Sequence, residues 1–96
     1  MYIGIYHTIN DTKKWQQTLQ SVMSKIDGGT LPAGMKPTFF LPATNQKTTF
    51  CVWEADSVDT VRTFIDHESG TAARNEYFEV DTKNAMGLPG VATGRK

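Results

Sequence analysis

The residues best suited to chemistry in this 96-residue sequence are two histidines, one cysteine and a glutamate that follows the second histidine. His7 lies in a segment that alternates like a strand, and the pair His67 and Glu68 lies near the end of a predicted helix. A carboxylate beside an imidazole fixes its tautomer and raises its basicity, which prepares a general base or a metal ligand. We therefore take His7 and Glu68 as candidate catalytic residues.

A purely structural interpretation of the same residues stays open. His7 would then be a strand-end histidine with a satisfied hydrogen bond, Glu68 would be partly solvated, and His67 would complement the negative end of a helix dipole. Cys51 lies in an apolar run beside Trp53, with neither histidine expected on its strand face. Because nothing then lowers the pKa of its thiol, we expect Cys51 to pack in the core.

Metal binding has only weak candidates, His7 and His67. The chain has no CxxC or HxxxH spacing, and a metal site needs three or four ligands. Only a dimer that brings the histidines of two subunits together would supply enough of them. We predict no metal ligand within one chain and leave the cofactor open.

Composition excludes several classes of partner. Ten Lys and Arg balance ten Asp and Glu, so the chain has no basic footprint for nucleic acid. No window approaches the roughly 18 apolar residues of a membrane span, and the start of the chain does not resemble a signal peptide. A lone cysteine is typical of a reducing compartment, which predicts a cytoplasmic protein.

Hydrophobic periodicity predicts four strands and two helices. The N-cap of the first helix is Asn10 or Asp11, and that of the second is Asp56 or Ser57. In chain order the predicted elements are a strand over 2–9, a helix ending at Gly28, strands over 38–41 and 48–55, a helix ending at Gly70, and a strand over 75–81. Prolines at both ends of the second strand favour an edge position.

This element order predicts an α+β fold, the ferredoxin-like βαββαβ arrangement with a four-stranded antiparallel sheet and both helices on one face. We expect one domain over 1–84 and a flexible or partner-bound tail over 85–96. The predicted helix-side core comprises Trp15, Leu19, Val22, Ile26, Val61, Ile65, Phe50, Val52 and Phe78. The uncovered face would carry Cys51, Trp53, Tyr77 and the tyrosines of the first strand, and would form a homodimer sheet to sheet.

The same topology predicts where a site would lie. The first strand and the second helix run parallel, so their ends meet at one pole of the domain. Helical spacing turns Glu68 inward and places His67 at the rim. We therefore predict a ligand site formed by His7, Glu68, His67 and Phe64.

One stretch resembles a known superfamily. The segment Cys51-Val52-Trp53-Glu54-Ala55, followed at once by a capped helix beginning Asp56-Ser57-Val58, is similar to the dimeric α+β barrel superfamily. It looks most like small uncharacterised members, some of them implicated in nickel binding. The resemblance implies two ferredoxin-like domains packed sheet to sheet, with a cavity between sheet and helices.

These expectations together suggest a small ligand-binding domain that holds an apolar or aromatic molecule near His7. The alternatives are a cofactor-independent, monooxygenase-like enzyme with His7 as base and Glu68 orienting it, or a homodimer that binds nickel or zinc.

Overall fold

Four antiparallel strands form one sheet in the order β2-β3-β1-β4, and two helices connect them. The computed structural model describes residues 1–89. Its elements in chain order are β1 (Tyr2–Ile9), α1 (Thr12–Asp27), β2 (Lys36–Pro42), β3 (Thr48–Glu54), α2 (Val58–Ser69) and β4 (Ala73–Glu79). This is the predicted α+β ferredoxin-like arrangement, so the predicted fold class is confirmed.

Side-chain caps fix where the helices begin. The Asp11 carboxylate accepts a hydrogen bond from the backbone N–H of Lys14 at 3.0 Å, and the Ser57 hydroxyl accepts one from Thr60 at 3.1 Å. Each bond satisfies an N–H group that the first helical turn leaves without a partner. Of the alternatives that the sequence offered, Asp11 and Ser57 are therefore the N-caps.

The second and fourth strands differ from their predicted bounds. β2 runs from Lys36 to Pro42 and includes both prolines that were expected to bracket it. It lies at the sheet edge, where a proline without an N–H costs no ladder hydrogen bond. β4 begins at Ala73, two residues earlier than predicted, because the turn after α2 closes tightly with a bond from the Ala72 N–H to the Ser69 carbonyl.

The predicted faces of β3 and β4 are wrong. Ile3 pairs with Trp53, and Ile5 pairs with both Cys51 and Tyr77. Cross-strand partners point to the same side of a sheet, so Cys51, Trp53 and Tyr77 join the buried isoleucines under the helices. They do not form an uncovered face, and a dimer built on them is excluded by their burial against the helices.

The uncovered face instead carries the residues that alternation had assigned to the core. Phe50, Val52 and Phe78 share it with Tyr6 and Gly4, although Val52 is buried as predicted. The rings of Tyr6, Phe50 and Phe78 form a cluster with centroids 5.0–6.3 Å apart. The period of two cannot decide between the faces of β3 because both of its faces are apolar.

The helix half of the predicted core is confirmed. Trp15, Val61 and Ile65 are buried, and the other three α1 positions are half-buried: Leu19, Val22 and Ile26.

Neither α1 nor α2, the helices of the described residues, is long and apolar enough to cross a membrane. The described part of the tail touches the domain, since the Tyr2 hydroxyl donates to the Pro89 carbonyl at 2.6 Å. Residues 90–96 of the predicted tail lie outside the described residues.

Gly4 of β1 leaves room for the Phe78 ring of the aromatic cluster to lie against the strand. A Cβ atom at Gly4 would overlap the ring of Phe78. We expect Gly4→Ala to lower the free energy of unfolding by about 1–3 kcal/mol, the usual range for overpacking. In a Phe78→Ala background the same substitution should cost nothing, because the ring is gone and alanine suits a strand better than glycine. Urea unfolding of the four proteins in this cycle measures the coupling, and equal costs in both backgrounds would contradict it.

Candidate functional site

A cavity of about 350 Å³ lies between α1 and the β2–β3 side of the sheet. Its helix wall is the apolar stripe of α1, from Leu19 through Val22 to Ile26, and Trp53 of β3 lies on the sheet wall. Met23 and Phe40 also line it and are 53 % and 48 % exposed, so the mouth opens between α1 and the edge strand β2. The surface that the cavity presents is almost wholly apolar.

His7 lies in the wall of this cavity on the central strand β1, and it is only 2 % exposed. Its Nδ1 lies 2.6 Å from the side-chain oxygen of Asn75, and its Nε2 lies 2.8 Å from the sulfur of Cys51. The indole of Trp15 packs on the ring with centroids 4.9 Å apart. The two hydrogen-bond partners come from β4 and β3, the strands on either side of β1.

The hydrogen bonds of Asn75 determine the tautomer of His7. The Asn75 amide nitrogen donates to the Asp66 carboxylate at 3.0 Å and to the Ser69 hydroxyl at 2.8 Å. A carboxylate only accepts, so the amide nitrogen faces Asp66 and the amide oxygen faces His7. His7 therefore carries its proton on Nδ1, and its Nε2 lone pair accepts from the Cys51 thiol.

Burial keeps both members of the pair neutral. Burial lowers the pKa of His7, against the opposing effects of the Asn75 hydrogen bond and the Asp66 charge. It also raises the pKa of the Cys51 thiol to about 12. The expectation that neither histidine shares a strand face with Cys51 is wrong, because the register places His7 beside it.

Glu68 lines the same cavity as His7, as the topology predicted, but it bonds to α1 instead of to His7. Its carboxylate accepts from the Ser21 hydroxyl and the Lys25 ammonium, both at 2.7 Å, and its side chain is 6 % exposed. Burial alone would raise the pKa of Glu68, but these two bonds outweigh it and hold the pKa below its usual value. Glu68 thus joins the two helices, and the predicted role of orienting His7 is filled by Asn75.

The other two predicted site residues lie outside this cavity. His67 is at the rim as expected, with its side chain 85 % exposed and its Nδ1 3.5 Å from the Glu68 carboxylate. Phe64 meets Trp53 edge to face at 6.4 Å between centroids. Both border a shallow depression on the other side of α2, together with Asp59.

The sequence analysis did not identify Asn75 and did not predict that Cys51 would bond to His7. Asn75 stands directly opposite His7 in the β1–β4 pairing, so the register of that pair is the signal that identifies it.

Residues 1–89 contain no group of three or more side chains arranged to hold a metal ion. Both nitrogens of the His7 ring are occupied, so a metal at His7 would have to displace Cys51 or Asn75.

The lowered pKa of His7 predicts a loss of stability in weak acid. An unfolded histidine takes up a proton near pH 6.5, whereas buried His7 resists it. As the pH falls below about 6.5 the unfolded state binds the extra proton, so the free energy of unfolding falls by up to about 1.4 kcal/mol per pH unit until His7 itself titrates.

Urea unfolding between pH 7.5 and 5 measures this dependence. His7→Gln should flatten the wild-type curve in that range. A His7→Gln curve that parallels the wild type would show that His7 is not the group responsible.

A comparison with protein-family models assigns the chain to a family. A model of the family described as a domain of unknown function, DUF8652, matches residues 2–88, which includes all six helices and strands. No curated protein matches the chain significantly. The chain is therefore a member of the DUF8652 family.

Proposed function

We propose that this domain binds a small apolar or aromatic molecule in the cavity beside His7. The observation that carries the proposal is the cavity itself, about 350 Å³ of space with an apolar surface. Ligand sites in proteins are typically clefts of about 300–1,000 Å³ lined by apolar side chains with a few placed polar groups. Here the placed polar groups are His7 and Cys51 in one wall and Glu68 in another.

The packing of the domain supports an occupied cavity. Protein interiors are close-packed, and voids much larger than a water molecule are few. Three consecutive stripe positions of α1, Leu19, Val22 and Ile26, face this space and reach only partial burial. A ligand of matching shape would complete the burial of that stripe and stabilise the domain by mass action.

A homodimer of the dimeric α+β barrel type is the second part of the proposal. Support comes from the uncovered sheet face, where Tyr6 is 56 % exposed, Phe78 39 % and Leu41 55 %. Apolar patches of this kind commonly mark interfaces, and a sheet-to-sheet contact would cover this one.

The free, buried thiol of Cys51 is consistent with a reducing compartment such as the cytoplasm.

A cofactor-independent enzyme with His7 as base is the second candidate function. The fixed tautomer favours it, since Nε2 of His7 carries no proton, and a substrate that displaced the Cys51 thiol would meet its lone pair. A general base needs such a lone pair within hydrogen-bond reach of the substrate proton. The orienting residue would be Asn75.

Filling the cavity should abolish ligand binding. The neutral fluorescent probe N-phenyl-1-naphthylamine should bind the wild type saturably with enhanced emission. Val22→Trp places an indole in the cavity and should weaken binding at least tenfold, with an unchanged circular dichroism spectrum. The matched control Gln17→Trp adds the same indole on the exposed side of α1 and should bind the probe normally. Saturable binding that survives Val22→Trp would place the site elsewhere, and no saturable binding by the wild type would refute the proposal.

Charging the uncovered face should dissociate the dimer. Tyr6→Lys sets an ammonium among the Phe50 and Phe78 rings, where a buried interface would leave it unpaired. Light scattering should show the wild type as a dimer, Tyr6→Lys as a folded monomer, and the helix-surface control Gln17→Lys as a dimer. A wild type that is monomeric at every concentration would end this part of the proposal.

A further inference from the structure

The single cysteine of the chain, Cys51, lies beside both a base and a cavity. We infer that Cys51 is a nucleophile with His7 as its general base, and that it adds to apolar α,β-unsaturated ketones that enter the cavity. The product is a covalent thioether. The inference goes beyond the proposed function, because reversible binding needs no such reaction, but it rests on that function for access through the cavity.

The Cys51–His7 pair has the geometry of an activated nucleophile. In such pairs the nucleophile and the base lie about 2.6–3.2 Å apart, and a third group orients the base. Here the Cys51 sulfur lies 2.8 Å from Nε2 of His7, and Nδ1 lies 2.6 Å from the side-chain oxygen of Asn75. Because the proton of His7 is on Nδ1, Nε2 is free to take the proton of the thiol.

Cys51 meets the cavity from the sheet wall. In the strand pairings it lies between Ile5 of β1 and Phe40 of β2, and it lines the cavity together with Phe40 and Trp53. A cysteine side chain consists only of Cβ and Sγ, so the part of Cys51 that points toward the helices carries the sulfur. A ligand has to reach this sulfur only, because Nε2 of His7 acts through the thiol and need not touch the ligand.

The addition step balances without a second reactant. The sulfur bonds to the β-carbon of the ketone while the S–H bond breaks and its proton moves to Nε2 of His7. The electron pair of the C=C bond moves toward the carbonyl group and gives an enolate. The α-carbon then takes the proton back from Nε2. The net change is addition of S–H across the C=C bond, with no leaving group and with His7 neutral again.

Burial is what makes the base necessary. It raises the pKa of the Cys51 thiol to about 12, so very little thiolate exists at neutral pH to react unaided. Burial also disfavours the transient imidazolium of His7, whereas the Asn75 hydrogen bond and the Asp66 charge favour it. Asp66 accepts from the Asn75 amide at 3.0 Å, so a carboxylate stands one residue behind the imidazole.

Two ketones with the same reactive group test the inference: 1-octen-3-one and but-3-en-2-one, which differ only in the length of the alkyl chain. Intact-mass spectrometry at pH 7.5 follows the adducts, and each rate is divided by the rate with N-acetylcysteine. The wild type should gain one octenone saturably and at least tenfold faster than butenone, because each buried CH₂ favours binding by about 0.8 kcal/mol. Equal normalised rates, or an adduct that forms as fast in Cys51→Ala, would overturn the inference.

The pH dependence of the octenone rate identifies the base. A thiol that reacts only as its thiolate accelerates about tenfold per pH unit below its pKa. With His7 as base, the wild-type rate should change less than about twofold between pH 7 and 9. His7→Gln should react about 100-fold more slowly at pH 7.5 and show the tenfold rise. A wild-type rate that rises tenfold per pH unit would overturn the inference, whether or not His7→Gln folds.

Filling the cavity tests the route to the sulfur. Val22→Trp should slow octenone addition at least tenfold, and the control Gln17→Trp should react like the wild type. Undiminished reaction of Val22→Trp would show that the ketone reaches Cys51 by another path, which overturns the inference. If N-phenyl-1-naphthylamine binds but octenone forms no Cys51 adduct, the inference fails and the binding function stands. If the probe does not bind and octenone reacts without saturation, both fail.

Discussion

The antiparallel register of β1 against β3 and β4 is the constraint on which the rest of the structure depends. Pairing Ile3 with Trp53 and Ile5 with Cys51 decides which side of each strand meets the helices. A slip of one residue would move every side chain of a strand to the other face. The same register sets His7 between Cys51 and Asn75, so core and candidate site are consequences of one set of strand pairings.

Local signals were sufficient to predict the order and type of the elements. Capping residues such as Asp11 and Ser57 and the stop at Gly70 act within one helical turn, so they can be read directly from neighbouring residues. The fold class followed because few topologies connect six such elements with right-handed crossovers. The bounds of β2 shifted because an edge strand tolerates prolines that a central strand would exclude.

The faces of β3 and the partners of His7 required information that no local pattern holds. Phe50 and Val52 are as apolar as Cys51 and Trp53, so alternation identifies two faces without ranking them. Asn75 and Cys51 stand 68 and 44 residues from His7 in sequence. The shared location of His7 and Glu68 was predictable because it depends on the direction of β1 and α2, whereas their hydrogen-bond partners depend on register.

The link between Glu68 and α1 affects how the cavity can change its size. Ser21 and Lys25, in the C-terminal half of α1, bond to Glu68 at the end of α2, while the mouth separates α1 from β2. These bonds hold α1 by the side that faces α2, and none of the strand pairings involves α1. The width of the mouth therefore depends on side-chain contacts of α1, whereas the sheet depends on backbone hydrogen bonds.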